Sequence, residues 1–248
     1  MGGKVFSHKL QWQGLTNDKW LLGIVNGNVL FFESLPAQSS LPRPICLSLT
    51  HHYALDAALL SFLEKKIIEK CEVGNSAGFF SNVFPTFKKD GSARVILNLK
   101  ELNNYVQYSH FKMDSIQDVL QLVQPNCFFA TVYFKDALYS VAVKPKNRIW
   151  LRFMWGNEPF QFTCLPQGLS SAPRTFTKLL KPVLSHFRTV GITVSCYIDD
   201  CIFTAASERE LRDNLRYAVR FFDSVGLTVN LSNLFSFPRI KWSFLEVY

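Results

Sequence analysis

Tyr197-Ile198-Asp199-Asp200 sets two carboxylates side by side between two apolar runs, Val194 to Ile198 and Cys201 to Thr204. Adjacent carboxylates repel each other and favour a cation. Magnesium prefers oxygen ligands and commonly takes one or two carboxylates together with substrate phosphates, the arrangement used for phosphoryl transfer. Asp-Asp is equally ordinary turn chemistry, because Asp bonds its own backbone, so the dipeptide alone leaves both readings open. Lys88, Lys89 and Arg94 form a second, cationic cluster that could hold a triphosphate or a nucleic-acid backbone, or simply solvate a turn. The third is Leu165-Pro166-Gln167-Gly168 leading into Ser170-Ser171-Ala172-Pro173, a side-chain amide and a glycine just ahead of a helix. A nucleotide could approach the backbone closely there, and an ordinary loop with an N-cap has the same composition.

Other chemistries find no support. The cysteines (Cys46, Cys71, Cys127, Cys164, Cys196, Cys201) contain no C-x-x-C pair, which argues against a zinc ribbon or a thioredoxin-type site; reduced, mostly buried thiols are expected. Gly74-Asn75-Ser76-Ala77-Gly78 matches G-x-S-x-G, but a nucleophile elbow follows a strand and precedes a helix, and here the order is reversed. His51-His52 lacks a third ligand at useful spacing, and there is neither a P-loop nor H-E-x-x-H.

Periodicity outlines the elements that would position these clusters. Leu55, Leu59, Leu63 and Ile67 repeat at helical spacing from Tyr53, and Gly74 stands where a stop is expected. Phe79 to Phe87 and Arg94 to Leu99 read as strands around Asp90-Gly91, a basic hairpin. Ser115 with Asp118 resembles a capping box ahead of a short helix, and Phe128 to Phe134 is rich in strand formers. Val141 to Val143, Ile149 to Phe153 and Phe160 to Thr163 read as short strands. Pro173 suits the first turn of a helix with the apolar face Phe176, Leu179, Leu180, Val183 and Phe187, kinked at Pro182. Ser207 with Glu210 caps another, with Leu211, Leu215, Ala218, Val219 and Phe222 on one face and Gly226 at its end. From residue 128 the order suits an α+β fold, an antiparallel sheet with helices on one face and Asp199-Asp200 at one end. Residues 1–50, with Gly2-Gly3, Asn26-Gly27-Asn28, Pro36, Pro42 and Pro44, read as an irregular wrapping arm with short strands.

Composition sets the class. At 248 residues, 48% hydrophobic and 19% charged, with mean hydropathy +0.08, the chain lies outside the composition of disordered proteins. Lys and Arg number 27 against 19 Asp and Glu, a net charge of +8 that favours polyanions such as nucleic acids or an acidic membrane surface. Met1 to Ser7 lacks a secretory apolar run, no stretch reaches the length of a membrane span, and Phe6 stands where a myristoylation pattern wants Ser or Thr. An intracellular protein, in cytoplasm or nucleus and without a membrane partner, is expected.

Phe87-Lys88-Lys89-Asp90-Gly91 through Arg94, Leu97-Asn98-Leu99-Lys100-Glu101-Leu102-Asn103, Lys135-Asp136-Ala137, Leu165-Pro166-Gln167-Gly168 and Tyr197-Ile198-Asp199-Asp200 occur in the order and rough spacing of reverse transcriptases. The chain resembles most closely those of DIRS-type retrotransposons, over residues 50 to 248. The resemblance implies the fingers and palm of a right-hand polymerase: an arm over residues 1–50, a fingers-like region with the basic hairpin over 51–125, and a palm-like region over 126–248 with fingers elements interleaved. It implies attack of a primer 3′-hydroxyl on a nucleotide α-phosphate, with an RNA or DNA template-primer, deoxynucleoside triphosphates and two magnesium (or manganese) ions. By the match Asp199 and Asp200 are the catalytic, metal-binding pair. Lys88 or Lys89 and Arg94 contact the triphosphate, Asp136 and Ala137 place main-chain groups near the phosphates, and Gln167 and Gly168 line the nucleotide site.

Several positions depart from the family pattern. Tyr133 stands where a third metal-binding aspartate is usual, and Asp136, three residues further along a strand, is expected to face the other way. Leu138 occupies the nucleotide-site position of an aromatic screen against the ribose 2′-hydroxyl. Asn233 falls where a lysine is expected, and Phe244-Leu245-Glu246 replaces Phe-Leu-Gly of the primer grip. The sequence stops at Tyr248, short of a thumb or an RNase H domain. The implied activity is therefore an impaired polymerase, with a catalytically inactive, nucleic-acid-binding relic (a pseudoenzyme) as the alternative.

Overall fold

A computed structural model describes residues 1–71, 78–87, 93–113 and 127–230. Lys88 to Gly91, Ser115, Asp118, Gly74 to Ala77, Asn233 and Phe244 to Glu246 lie outside these. The helices are α1 (Lys9–Leu15), α2 (Lys19–Val25), α3 (Leu49–Glu64), α4 (Lys100–Asn103), α5 (Pro145–Arg148), α6 (Ala172–Thr189) and α7 (Glu208–Ser224). The strands are β1 (Ile68–Lys70), β2 (Val83–Phe87), β3 (Ala93–Leu97), β4 (Phe128–Phe134), β5 (Arg152–Trp155), β6 (Glu158–Phe162), β7 (Thr193–Tyr197), β8 (Asp200–Ala205) and β9 (Val229–Asn230). The chain forms two units: Met1–Ser7 with Gly23–Ser109 and Leu138–Pro173, and His8–Leu22 with His110–Ala137 and Arg174–Tyr248.

In the first unit α3 begins at Ser48, whose hydroxyl accepts the His51 N–H, and it buries Leu55, Leu59 and Phe62. That cap satisfies one of the orphan donors of the first turn. β6 runs between β1 and β5 in a three-stranded antiparallel sheet, and β2 pairs with β3 in a separate hairpin, Thr86 opposite Arg94.

The second unit is built on an antiparallel sheet in the order β7-β8-β4-β9. Side chains alternate across a strand, so the burial pattern of β4 gives its two faces: Ala130, Val132 and Phe134 are buried, while Phe129, Thr131 and Tyr133 are only half-buried. Phe134 meets Phe222 of α7 edge-on at 4.8 Å and Phe176 of α6 at 5.9 Å; Phe187 extends the cluster to Phe203 and Phe222. Ser207 caps α7 by accepting the Glu210 N–H at 3.2 Å, as the S-x-x-E spacing predicts. α6 runs through Pro182 without ending.

Five expectations change, the first being the helix read from Tyr53 through Ile67, which ends at Glu64 and is followed by β1 from Ile68. Residues 1–50 carry α1 and α2 rather than short strands, with Trp12 fully buried and its indole N–H donating to the Val225 carbonyl at 3.0 Å. Val141 to Val143 forms only isolated bridges, Asn28 with Val143 and Ala142 with Cys164. Ile149 to Leu151 belongs to the turn after α5, which Pro145 opens, and the strand starts at Arg152. Cys196 and Cys201 are joined in a disulfide, whereas Cys46, Cys71, Cys127 and Cys164 are free.

Truncating Phe222 to Ala removes the ring that Phe134, Phe187 and Phe203 share. Urea unfolding is expected to show a loss of about 3–5 kcal/mol, and a loss below 1 kcal/mol would contradict this packing.

Candidate active site

Cross-strand pairs share a face of their sheet. Tyr197 pairs with Asp200, Asp200 with Tyr133, and Tyr133 with Asn230, so these four residues form one rung across β7, β8, β4 and β9. The rung lies on the face opposite the aromatic cluster, because the next residues along, Cys201 and Phe134, are the buried ones. Ile198 and Asp199 are the two residues between the paired Tyr197 and Asp200. A two-residue hairpin loop requires a positive φ at its first position, and Ile198 has φ +54°. The turn is tied to the neighbouring strand by the Phe134 N–H, which donates to the Asp199 carbonyl at 2.9 Å. The Cys196–Cys201 pair sits one register step below, at 4.0 Å between Cα atoms.

Both Asp199 and Asp200 are exposed. Partial burial pushes the Asp200 carboxyl above its ordinary range, and the like charge of Asp199 adds to it. Across the rung stands a neutral phenol rather than a carboxylate. Among the described residues no group of three His, Cys, Asp or Glu side chains is placed to hold a metal ion. Asp199 and Asp200 are therefore the carboxylates that the described rung offers a divalent cation, with a phenol where a third would bridge two ions. Asp136 does not repair the deficit, since it lies beyond the end of β4 in a left-handed backbone, φ +56°, off the rung of Tyr133. Strand alternation, the expected reason, does not apply there. Ala137 follows it, buried, and the Lys135 N–H donates to the Thr228 carbonyl at 2.8 Å.

The first unit holds the remaining described candidates. Arg94 is exposed on β3, and Leu138 opens a short 3₁₀ turn half-buried. Gly168 has φ +110°, and a Cβ there would lie 2.2 Å from the Leu97 carbonyl oxygen, so only glycine fits. The Gln167 carbonyl accepts the Leu97 N–H at 3.2 Å, while its side-chain Oε1 is buried with no hydrogen-bond partner. Asn103 locks this loop: its Nδ2 donates to the Gly168 carbonyl at 2.9 Å and its Oδ1 accepts the Ser170 N–H at 3.0 Å. Asn103 lay within a quoted motif, but its role depends on a contact 65 residues away in sequence. Asn230 joins the site only through strand pairing, which no local pattern announces, whereas Tyr197 belongs to the Tyr197-Ile198-Asp199-Asp200 motif.

The sequence profile of the family described as "Reverse transcriptase (RNA-dependent DNA polymerase)" matches residues 87–236, more than half of the chain. The chain is 24% identical over 143 residues to the Transposon Tf2-3 and Tf2-7 polyproteins of Schizosaccharomyces pombe. That match takes in 58% of this chain and spans 11% of each polyprotein. Among solved structures, the foamy viral protease-reverse transcriptase dRH in complex with double-stranded DNA superposes with a TM-score of 0.69 at 15% identity, over 95% of this chain and 44% of that one. The native prototype foamy virus protease-reverse transcriptase gives 0.65 at 16% identity, over 84% and 26%.

Replacing Asp199 with Asn removes the like charge beside Asp200 and is expected to lower the Asp200 pKa. Part of the upward shift persists, because burial is its larger cause; a carboxyl-carbon NMR titration reads it, and an unmoved or higher value would contradict the assignment. Gly168→Ala is expected to destabilise the first unit by more than about 1 kcal/mol in denaturant unfolding, since the new methyl meets a carbonyl and the backbone is left-handed.

Proposed function

Because the chain belongs to the reverse transcriptase (RNA-dependent DNA polymerase) family, we propose that it is the polymerase domain of a DIRS-type retrotransposon, performing template-directed DNA synthesis with a catalytic rung weakened at Tyr133. The fold is the α+β right-hand polymerase fold, its antiparallel sheets backed by helices. In this reading the β7-β8-β4-β9 sheet with α6 and α7 is the palm, and the β2-β3 hairpin belongs to the fingers. The observation that carries the proposal is the exposed pair Asp199 and Asp200 on a two-residue turn, with Tyr133 opposite Asp200 on the same sheet face.

Each side chain then has a task. Arg94 with Lys88 or Lys89 neutralises the triphosphate, and the main chain at Asp136 and Ala137 adds donors near it. Gln167 brings a buried, unpartnered acceptor, and Gly168 lets the backbone come close to the nucleotide. Leu138 gives no aromatic wall against a 2′-hydroxyl, so ribonucleotides compete with deoxynucleotides. Asp199 and Asp200 supply the negative charge toward which magnesium or manganese is drawn. Tyr133 adds no third charge, and loss of one element of transition-state electrostatics costs on the order of a hundredfold or more in rate. The template-primer is RNA or DNA, and the setting is the cytoplasm or nucleus. Among the described residues no helix is long and apolar enough to cross a membrane. A second reading, a catalytically inactive relic that binds nucleic acid, is favoured by the same Tyr133 together with the net charge of +8.

Primer extension on a poly-ribonucleotide template with magnesium or manganese tests both. The chain as it stands is expected to extend slowly, Tyr133→Asp on the order of a hundredfold faster, and Asp199→Ala not at all. Extension by the unaltered chain that Tyr133→Asp fails to raise would remove Tyr133 as the lesion. Salt-sensitive template binding with silence in all three proteins would favour the relic.

A further inference from the structure

The apolar face of α6 is spent on the sheet: Phe176, Leu179, Leu180, Val183 and Phe187 are buried. The opposite face carries Arg174, Lys178, Lys181 and Ser185 at intervals of four, three and four, a straight stripe along an α-helix. This stripe walls a groove of about 710 Å³ whose other wall is the chain from Gly14 to Leu21. Among the described residues none of the three cations forms an ion pair. The Arg174 guanidinium lies 5.1 Å over the ring of Trp20, and its Nε is buried with no hydrogen-bond partner. Trp20 is nevertheless 38% exposed, a large aromatic surface open to solvent beside the cations. Among the described residues the one carboxylate in the lining, Asp18, is engaged in capping α2, its Oδ1 accepting the N–H groups of Trp20 at 2.8 Å and Leu21 at 3.2 Å.

We propose that this groove is a second nucleic-acid site, which takes the phosphodiester backbone of one strand along Arg174, Lys178 and Lys181 and stacks a base against Trp20. It goes beyond the polymerase reading, because α6 covers the sheet face opposite Asp200. From Arg174 to Lys181 the helix rises about 10 Å, long enough for the row to meet more than one phosphate of a strand. Cations in a row with an aromatic platform are the combination that holds single strands without base readout. The concave shape disfavours a lipid surface, which an amphipathic helix meets with an exposed apolar face, whereas the apolar face of α6 is buried.

Fluorescence anisotropy of a labelled twelve-residue oligothymidylate, titrated with the full chain at several salt concentrations, tests this. The Lys178→Glu/Lys181→Glu variant is expected to bind at least tenfold more weakly, with a shallower salt slope. Lys112→Glu/Lys146→Glu, the same charge change on exposed lysines elsewhere, is expected to stay within about threefold of the unaltered chain. Trp20→Ala is expected to lose on the order of fivefold or more with the salt slope kept; Trp20 and the two lysines lie off the Asp199–Asp200 rung, so these losses are read apart from the fate of the polymerase reading. A 5-iodouracil oligonucleotide should photocrosslink to Trp20 by mass spectrometry, a readout that does not depend on how well a variant folds. Equal losses in both lysine pairs, crosslinks only outside the groove, or loss of binding to phosphatidylserine vesicles with oligonucleotide binding unchanged would each overturn the proposal.

Discussion

Phe134 packs edge-on against Phe222 at 4.8 Å and against Phe176 at 5.9 Å, and that contact decides which way β4 faces. A strand slipped by one residue would put Phe134 into solvent and Tyr133 against the helices. Burying an aromatic ring contributes about 1.5–3 kcal/mol, and an edge-on pair about 0.5–1.5 kcal/mol more, so the register is held by several kcal/mol that have nothing to do with catalysis. With β4 fixed, its pairing with β8 sets Asp200 beside Tyr133, and its pairing with β9 sets Asn230 on the other side. The chemistry sits on the open face because the hydrophobic effect has closed the other.

The turn that carries the carboxylates is held against its own preferences. A β-branched residue at positive φ costs on the order of 1–3 kcal/mol, and Ile198 adopts φ +54° next to two like charges. Three features oppose that strain: the β7-β8 ladder, the covalent Cys196–Cys201 link one step below, and the Phe134 N–H on the Asp199 carbonyl. All three come from the sheet, so the aspartates are positioned by the backbone while their side chains stay exposed. The backbone holds the acidic turn in place with no help from a cation.

Much of this was legible locally. α6 buries the face that its apolar spacing marks and α7 most of its own, and β4 spans the residues read from its strand formers; α3 ends at Glu64, before Ile67, and buries Phe62 where the spacing marked Leu63. The Asp199-Asp200 hairpin was readable because both arms are apolar and only the turn is polar. α1 and α2 escape the reading of residues 1–50 as irregular because the breakers it rests on, Gly2-Gly3, Asn26-Gly27-Asn28 and the three prolines, all lie outside the two helices. Val141 to Val143 has strand composition but finds only single bridges. The disulfide escaped because Cys196 and Cys201 match no redox spacing and meet only through strand register. Asp136 was placed correctly in sequence and wrongly in geometry, since the alternation argument assumes a strand that has already ended at Phe134. The unpartnered Gln167 Oε1 and the Asn103 lock have no local signature, because burial and a contact 65 residues away create them.

Tyr133 now has a physical meaning beyond absence. A carboxylate there would be the cross-strand neighbour of Asp200, whose pKa already stands above its ordinary range from partial burial and from Asp199. Like charges directly opposite on a sheet are destabilising, so an aspartate at 133 would be a third mutually repelling group that only bound cations could stabilise. A phenol relieves the repulsion and covers part of the open face with an aromatic ring, flanking Asp200 together with Tyr197. Stability alone favours the phenol at this position, whereas the metal chemistry proposed for the rung would favour a carboxylate. With Tyr133 opposite Asp200 the rung carries one like charge fewer, and the sheet needs no cation to hold it.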